Sequence, residues 1–169
     1  MIWIILTAFA VYMSYNLAVL KLFGIPNSLS QTYYEFKSLK SWLKVLFPIM
    51  MISVGGLLVP AWLEISGDSN FTFMVFLAIM GILLTGAAPA FNNSNFDDKI
   101  HTISAIFAAV FALLWIIFVT NLWWLIIVWT VIISAIAIIT KTWKIAIVYW
   151  VETIAFMSTF TAIITHFLL

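Results

Sequence analysis

Apolar residues fall into six long runs along this chain, with neither the strict alternation of strands nor the one-sided stripe of a helix on a water-soluble domain. The runs cover about 2–23, 42–63, 71–91, 100–119, 122–139 and 144–168, close to the roughly 20 residues an α-helix needs to cross a hydrocarbon core. Gly24-Ile25-Pro26-Asn27 ends the first run, because neither Gly nor Pro continues a helix well. Only Thr120-Asn121 separates the fourth run from the fifth. The pattern predicts an all-α polytopic integral membrane protein: a six-transmembrane-helix bundle that forms a single transmembrane domain over residues 1–169. No basic residue precedes the first run, so it reads as a permanent span and not as a cleaved signal.

The longest polar connection, 24–41, carries its own signal. Ser28 followed by Gln31 fits a capping box, and Leu29, Tyr33, Phe36 and Lys40 then recur at helical spacing. A short helix over about 29–40, lying on the membrane surface, is the expectation. With Lys37, Lys40 and Lys44 nearby, and Tyr33 on its apolar side, it would hold anionic lipid headgroups or a partner. A plain linker between two spans is the alternative.

Composition agrees: 66% of the residues are hydrophobic and 8% charged, too few charges to clothe a water-facing surface. A soluble enzyme and a nucleic-acid reader are thereby excluded, and the absence of cysteine excludes a disulfide module. All seven basic residues are lysines: Lys21, Lys37, Lys40, Lys44, Lys99, Lys141 and Lys144. If six spans alternate direction, all of them lie on one face. The positive-inside rule makes that face cytoplasmic and puts both termini outside. Trp3, Trp62, Trp115, Trp123 and Trp124 then fall toward the outer boundary and Trp42 and Trp143 toward the inner one, as aromatic belts.

One acid resists placement at a boundary. Glu152 lies eight residues past Lys144, about 12 Å along a helix and near the bilayer midplane, where a carboxylate is costly unless paired, protonated or wetted. Ile145, Glu152, Thr159 and His166 repeat every seven residues, with Ala155 and Ala162 beside them, so one stripe of the last helix is small and polar. That stripe predicts an ion or proton path; a Glu that fixes packing through an interhelical hydrogen bond is the alternative. Asn16 and Tyr12 of the first span share a face at matching depth and predict a Tyr12–Asn16–Glu152 cluster. Ser104, Ala108 and Ala112 form a small-residue stripe that predicts a close helix contact. Pro48, Gly55-Gly56, Pro60, Gly81, Gly86 and Pro89 predict bends in the second and third spans.

The most polar stretch is Asn92 to His101. Ser94 followed by Asp97 reads as a helix cap, and Asp97 and His101 stand one turn apart beside Asp98, an inner-face polar cluster. Two ligands do not make a metal site, so no metal and no cofactor are expected. Position excludes other membrane chemistries. No lysine lies deep in a span for a retinal, and the two histidines sit at opposite faces, unsuited to a bis-histidine haem. The three histidines of the alkaline ceramidase and adiponectin-receptor hydrolases are missing, as is the basic ladder of a voltage sensor.

Ser28-Leu-Ser-Gln-Thr-Tyr-Tyr34, Pro60-Ala-Trp-Leu-Glu64, Gly86-Ala-Ala-Pro-Ala-Phe91 and Lys99-Ile-His101 carry a resemblance to small multi-pass proteins of unknown function from gut Bacteroidetes and their phages. The resemblance implies a bacterial or phage-encoded protein of the cytoplasmic membrane and names no activity. The expected function is that of a small transporter or channel-like protein for an ion, proton or small solute, working as a homo-oligomer. A non-catalytic protein binding a membrane partner or lipids is one alternative, and a lipid-headgroup-modifying enzyme using Asp97, Asp98 and His101 is another. No catalytic residue set is evident.

Overall fold

The computed structural model describes residues 1–87 and 95–168; of residues 95–100 the backbone alone is described. The described residues are helical, without a strand. The helices are α1 (Ile2–Phe23), α2 (Thr32–Leu39), α3 (Leu46–Ser66), α4 (Phe73–Ala87), α5 (Asn95–Trp115), α6 (Trp124–Ile139) and α7 (Ile147–Leu168). A 3₁₀ turn, Ser41–Val45, leads into α3, and a π-helical turn, Ile116–Thr120, extends α5. Among the described residues, four stretches are long and apolar enough to cross a membrane: Ile2–Phe23, Ser41–Ser66, His101–Thr120 and Ile147–Leu168. The other two apolar helices, α4 and α6, have 15 and 16 residues. At 1.5 Å per residue they are about 22–24 Å long, short of a core of about 30 Å.

Local chemistry explains where the helices stop. Gly24 and Gly67 end α1 and α3 with positive φ, +79° and +45°, each donating its N–H to the carbonyl four residues back. A side chain would be strained there. Lys141, at φ 58°, turns the chain out of α6, and the Thr142 N–H reaches back to the Ala137 carbonyl at 3.0 Å. This left-handed exit delays α7 to Ile147, three residues later than the apolar pattern suggests. α3 runs through Pro60 as one continuous helix.

Contacts between helices fix their directions. Gly86 of α4 abuts Met51 and Pro48 at the start of α3, whereas Trp115 at the end of α5 donates to Ser66 Oγ at the end of α3, 2.8 Å. In α6, Trp129 donates to Thr161 Oγ1 of α7 at 2.9 Å. Phe9 meets Phe160, and Tyr12 stacks on Phe156, so α1 and α7 are antiparallel. The six apolar helices therefore alternate in direction. Lys21, Lys37, Lys40, Lys44, Lys141 and Lys144 lie at one end of the bundle, with Lys99 near the start of α5 at the same end. The start of α1 and the end of α7 lie at the other.

The tightest approach is between α4 and α5. A methyl group on Gly81 would lie 2.6 Å from the Ala108 nitrogen and 2.7 Å from the Ser104 carbonyl oxygen, so the two backbones touch across the small-residue stripe. Trp62 and Trp115 form an edge-to-face pair, centroids 5.9 Å apart, and both are fully buried. They belong to the core and not to an aromatic belt, because Ser66 takes the Trp115 indole N–H and leaves that ring no need of the membrane interface. Trp3, Trp42, Trp123, Trp124 and Trp143 are exposed near helix ends.

Candidate functional site

The site is assembled where the polar linker after α1 meets the start of α7. Within the linker, Ser28 Oγ accepts the Gln31 N–H at 3.2 Å, and Gln31 Oε1 accepts the N–H of Asn27 at 3.2 Å, a capping box closed one residue early. Tyr15 of α1 donates to the Thr32 hydroxyl, which donates to the Leu29 carbonyl at 2.5 Å. The turn is thus tied to α1 from below, and its two exposed backbone groups point at α7. The Asn27 carbonyl accepts the Tyr149 N–H at 3.1 Å, one of the first-turn N–H groups that no helix satisfies internally. In return, Glu152 Oε2 accepts the Leu29 N–H at 2.7 Å. Linker and helix thus cap one another.

Glu152 also borders a cavity. Helices α3, α4, α5 and α7 border a partly open cavity of about 40 Å³ as measured by the centres of water molecules, where about 10–15 Å³ suffices for one. Small residues on α5 (Ala105, Ala108, Ala109, Ala112) leave this space, Phe47, Trp62 and Phe156 line its sides, and Leu29 closes it beside the carboxylate. Three polar groups of lining residues have no hydrogen-bond partner: the Thr85 and Thr159 hydroxyls and the Trp62 indole N–H. All three residues are almost completely buried, at 3%, 3% and 1% exposure. Orphaned polar groups of this kind are rare and costly inside proteins, and here all three atoms are covered by packing and do not open onto the cavity. Among the described residues a single hydrogen bond reaches the Glu152 carboxylate, and Glu152 itself stays part-buried, open to the cavity.

The residues singled out from sequence are distributed as follows. Glu152 and Thr159 both line the cavity, with Ala155 between them. His166 does not: it is exposed near the end of α7, its ring edge-on to Phe167, two helical turns beyond Thr159, the last α7 residue to line the cavity. The Tyr12–Asn16–Glu152 cluster is replaced by another. Asn16 donates to the Tyr12 carbonyl at 2.9 Å and accepts from the Tyr149 hydroxyl at 3.3 Å, so Tyr149 takes the place expected of Glu152. Tyr12 is buried against Phe156 and Phe160. Ile145 is exposed and contributes nothing to the stripe.

Tyr33 is buried, as are Leu29 and Phe36, since the apolar face of α2 packs on α1 through Phe36 against Phe23 and Tyr15. Tyr33 is therefore no lipid contact. Lys37 and Lys40 remain exposed, and Lys44 is partly so. Glu35 sits on the flank of α2, where burial of one oxygen pushes its carboxyl above the ordinary range, opposed by the hydrogen bond from Gln31 Nε2 at 2.9 Å. His101 is half-buried in α5, and the Asp97 and Asp98 side chains and Ser94 lie outside the described residues. Among the described residues no group of three His, Cys, Asp or Glu could hold a metal ion.

Sequence reasoning missed Leu29, Thr85, Trp62 and Tyr149. The orphan status of Thr85 and Trp62 is a property of packing, but Leu29 follows the capping-box Ser28 directly and marks the point where backbone N–H groups become available. The chain matches no protein-family model, no curated protein and no solved structure.

Proposed function

We propose that this is a six-span protein of the bacterial cytoplasmic membrane, its lysine-bearing end inside and both termini outside, that moves an ion, proton or small solute. Glu152 is the exchanging group. The observation that carries the reading is the meeting of an acid in the second turn of α7, nearer the lysine-bearing end of a long apolar helix than the midplane its sequence position suggests, with a cavity bordered by α3, α4, α5 and α7. A membrane interior tolerates such an acid mainly where it has a partner or a wet cavity; here the Leu29 N–H is its partner, and a cavity lies beside it. In this reading Leu29 is the inner plug. Loading Glu152 with a proton or cation weakens its hold on the Leu29 N–H, since a neutral acceptor bonds less strongly than an anion, and the plug loosens toward the lysine-bearing side.

Flux in proteoliposomes tests this. Glu152→Gln keeps an acceptor for Leu29 but removes the charge, and the expected result is loss of solute-coupled or proton flux. Undiminished flux in the mutant sinks the role. Because the chain has no cysteine, single cysteines at Lys37 and at Trp3 report topology by labelling from either side; labelling of both from the same side would overturn the orientation.

A second reading is favoured by the exposed Lys37 and Lys40 beside a docked α2: a non-catalytic protein that holds anionic lipids or a membrane partner at its basic rim. Charge reversal at both lysines would then abolish lipid recovery while Glu152→Gln left it intact.

A further inference from the structure

Contacts among α1, α7 and α6 put the polar margins of three helices on one scale. Trp129 of α6 donates to Thr161 of the antiparallel α7 at 2.9 Å. Counted from that bond, the first residue of α6, Trp124, lies level with His166 of α7, and the last, Ile139, level with Val151. The Trp150 indole N–H reaches Thr142 Oγ1, just past α6, at 3.2 Å, in agreement with that count. Phe9 of α1 meets Phe160 of α7 edge-on, which sets Trp3 level with His166 and Lys21 level with Val148. Trp3, Trp123, Trp124 and His166, all exposed, therefore mark one margin, and the exposed Lys21, Thr140, Lys141 and Trp143 mark the other. From His166 to Val151 or Val148 is about 15–18 residues of helix, about 22–27 Å at 1.5 Å per residue. Between these margins the outward side of α6 is purely apolar in what it asks of its surroundings. Only Leu125, Ile133 and Ala137 of its 16 residues are buried, and the exposed Thr130 hydroxyl turns back to the Ile126 carbonyl at 2.7 Å. Ile127, Val128, Val131, Ile132, Ile138 and Ile139 stand exposed. Branched side chains of this bulk suit fluid hydrocarbon, whereas a neighbouring helix is met by small ones.

We propose that the wall formed by α6, α7 and α1 is a docking surface for phospholipids with short acyl chains, and that the bilayer beside it is held several ångströms thinner than the usual core of about 30 Å. A helix too long for its bilayer tilts; one too short cannot lengthen, so the lipid must come to it. Acyl chains of ordinary length would draw hydrocarbon past Ile139 over Thr140 and Lys141, or past Trp124 at the other margin. Short chains end where the indoles and ammonium groups stand, and headgroups then meet the side chains that favour the interface. The inference rests on the six-span reading, which makes α6 a span, and not on the role of Glu152.

The exposed tryptophans at the margins report which lipids lie against the wall. The full chain is reconstituted in brominated dioleoylphosphatidylcholine, which quenches them, and the quencher is displaced by unbrominated phosphatidylcholines of graded length: dimyristoleoyl, dipalmitoleoyl, dioleoyl and dierucoyl. The two shorter lipids are expected to relieve quenching several-fold more effectively than the dierucoyl lipid. Equal displacement along the series, as when a second copy of the chain covers α6, or better displacement by the longest lipid, overturns the proposal. Replacing the inner margin by leucine, Lys141→Leu with Trp143→Leu and Lys144→Leu, extends the apolar surface and should move the preference toward the dioleoyl lipid; an unmoved preference in a folded variant also overturns it, and the unmodified chain decides by itself should the variant not fold. Single cysteines at Trp123 and at Lys144, labelled in the same vesicles, separate this inference from the reading beneath it. Labelling from opposite sides without a chain-length preference removes the thin wall alone, whereas labelling of both from one side removes α6 as a span, and the six-span reading and the thin wall fall together.

Discussion

Helix α5 presents small side chains to two neighbours, and the two contacts end differently. Toward α4, Ser104 and Ala108 meet Gly81 so closely that backbone lies on backbone. Toward α7, Ala105, Ala109 and Ala112 face Glu152, Ala155, Phe156 and Thr159, and a cavity remains. The composition of the α5 stripe is nearly the same on both sides. The neighbour makes the difference: α4 answers a small residue with a glycine, whereas α7 answers with a carboxylate bonded elsewhere and a ring stacked on Tyr12 of α1. Both α7 side chains are committed to other partners and cannot lean in to fill the space. Small residues therefore permit close approach without enforcing it.

The comparison can be broken from either side. The largest effect is expected at Gly81→Leu, which drives a side chain into the α5 backbone and should leave little folded protein; Gly81→Ala should cost about 1–3 kcal/mol despite its better helix propensity. Thermal melting in detergent checks both, and a melt for Gly81→Ala equal to that of the unmodified chain would mean that the α4–α5 contact is not closed. Next comes Glu152→Ala, which strands the Leu29 N–H and should destabilise by about 1–3 kcal/mol, while Glu152→Gln retains an acceptor and should lose less than half as much. Equal losses in the two variants would show that the carboxylate acts by charge alone.

Ala109→Leu should be within about 1 kcal/mol of neutral, because it adds apolar volume where space exists, the opposite of the Gly81 result. The smallest effect concerns Glu35. Its carboxyl is held above the ordinary range by burial, so the folded state binds a proton more readily than the unfolded one, and stability falls as pH rises from the unperturbed value of 4.5 through the raised one. Glu35→Gln should melt slightly higher than the unmodified chain at pH 7, and the gap should close as the pH is lowered toward 4.5. A gap independent of pH would assign the effect to something other than this carboxyl.

Much of the fold was legible because a helix that crosses an apolar medium must satisfy its backbone internally, so runs of apolar residues translate directly into helices. The ends were legible wherever a glycine or proline stood, as at Gly24, and slipped by a few residues where a lysine took a left-handed conformation, as at Lys141. Which face of each helix meets protein was far less legible. Lipid and core are equally apolar, so Trp62 and Trp115, both placed at the membrane boundary by their positions in sequence, turned out to be core. The seven-residue spacing of Glu152 and Thr159 marked one wall of the cavity. Its opposite wall takes in Ala108 and Ala112 of the small-residue stripe, whereas the backbone N–H that holds Glu152 had no signature in side-chain identity, since every residue but proline carries that group.

The paired bonds between the 27–29 turn and α7 join residues 123 positions apart, Leu29 and Glu152. During synthesis the turn emerges early and waits, its Leu29 N–H and Asn27 carbonyl unmatched, until the last of the described helices arrives. Contacts so distant in sequence form late, after the entropy of closing the intervening loop has been met. The same bonds join the linker after α1 to α7 and set Leu29 against the cavity beside Glu152. Arrival of α7 and docking of the 27–29 turn are therefore one event, and a ribosome that stalls before α7 leaves the turn without its partner.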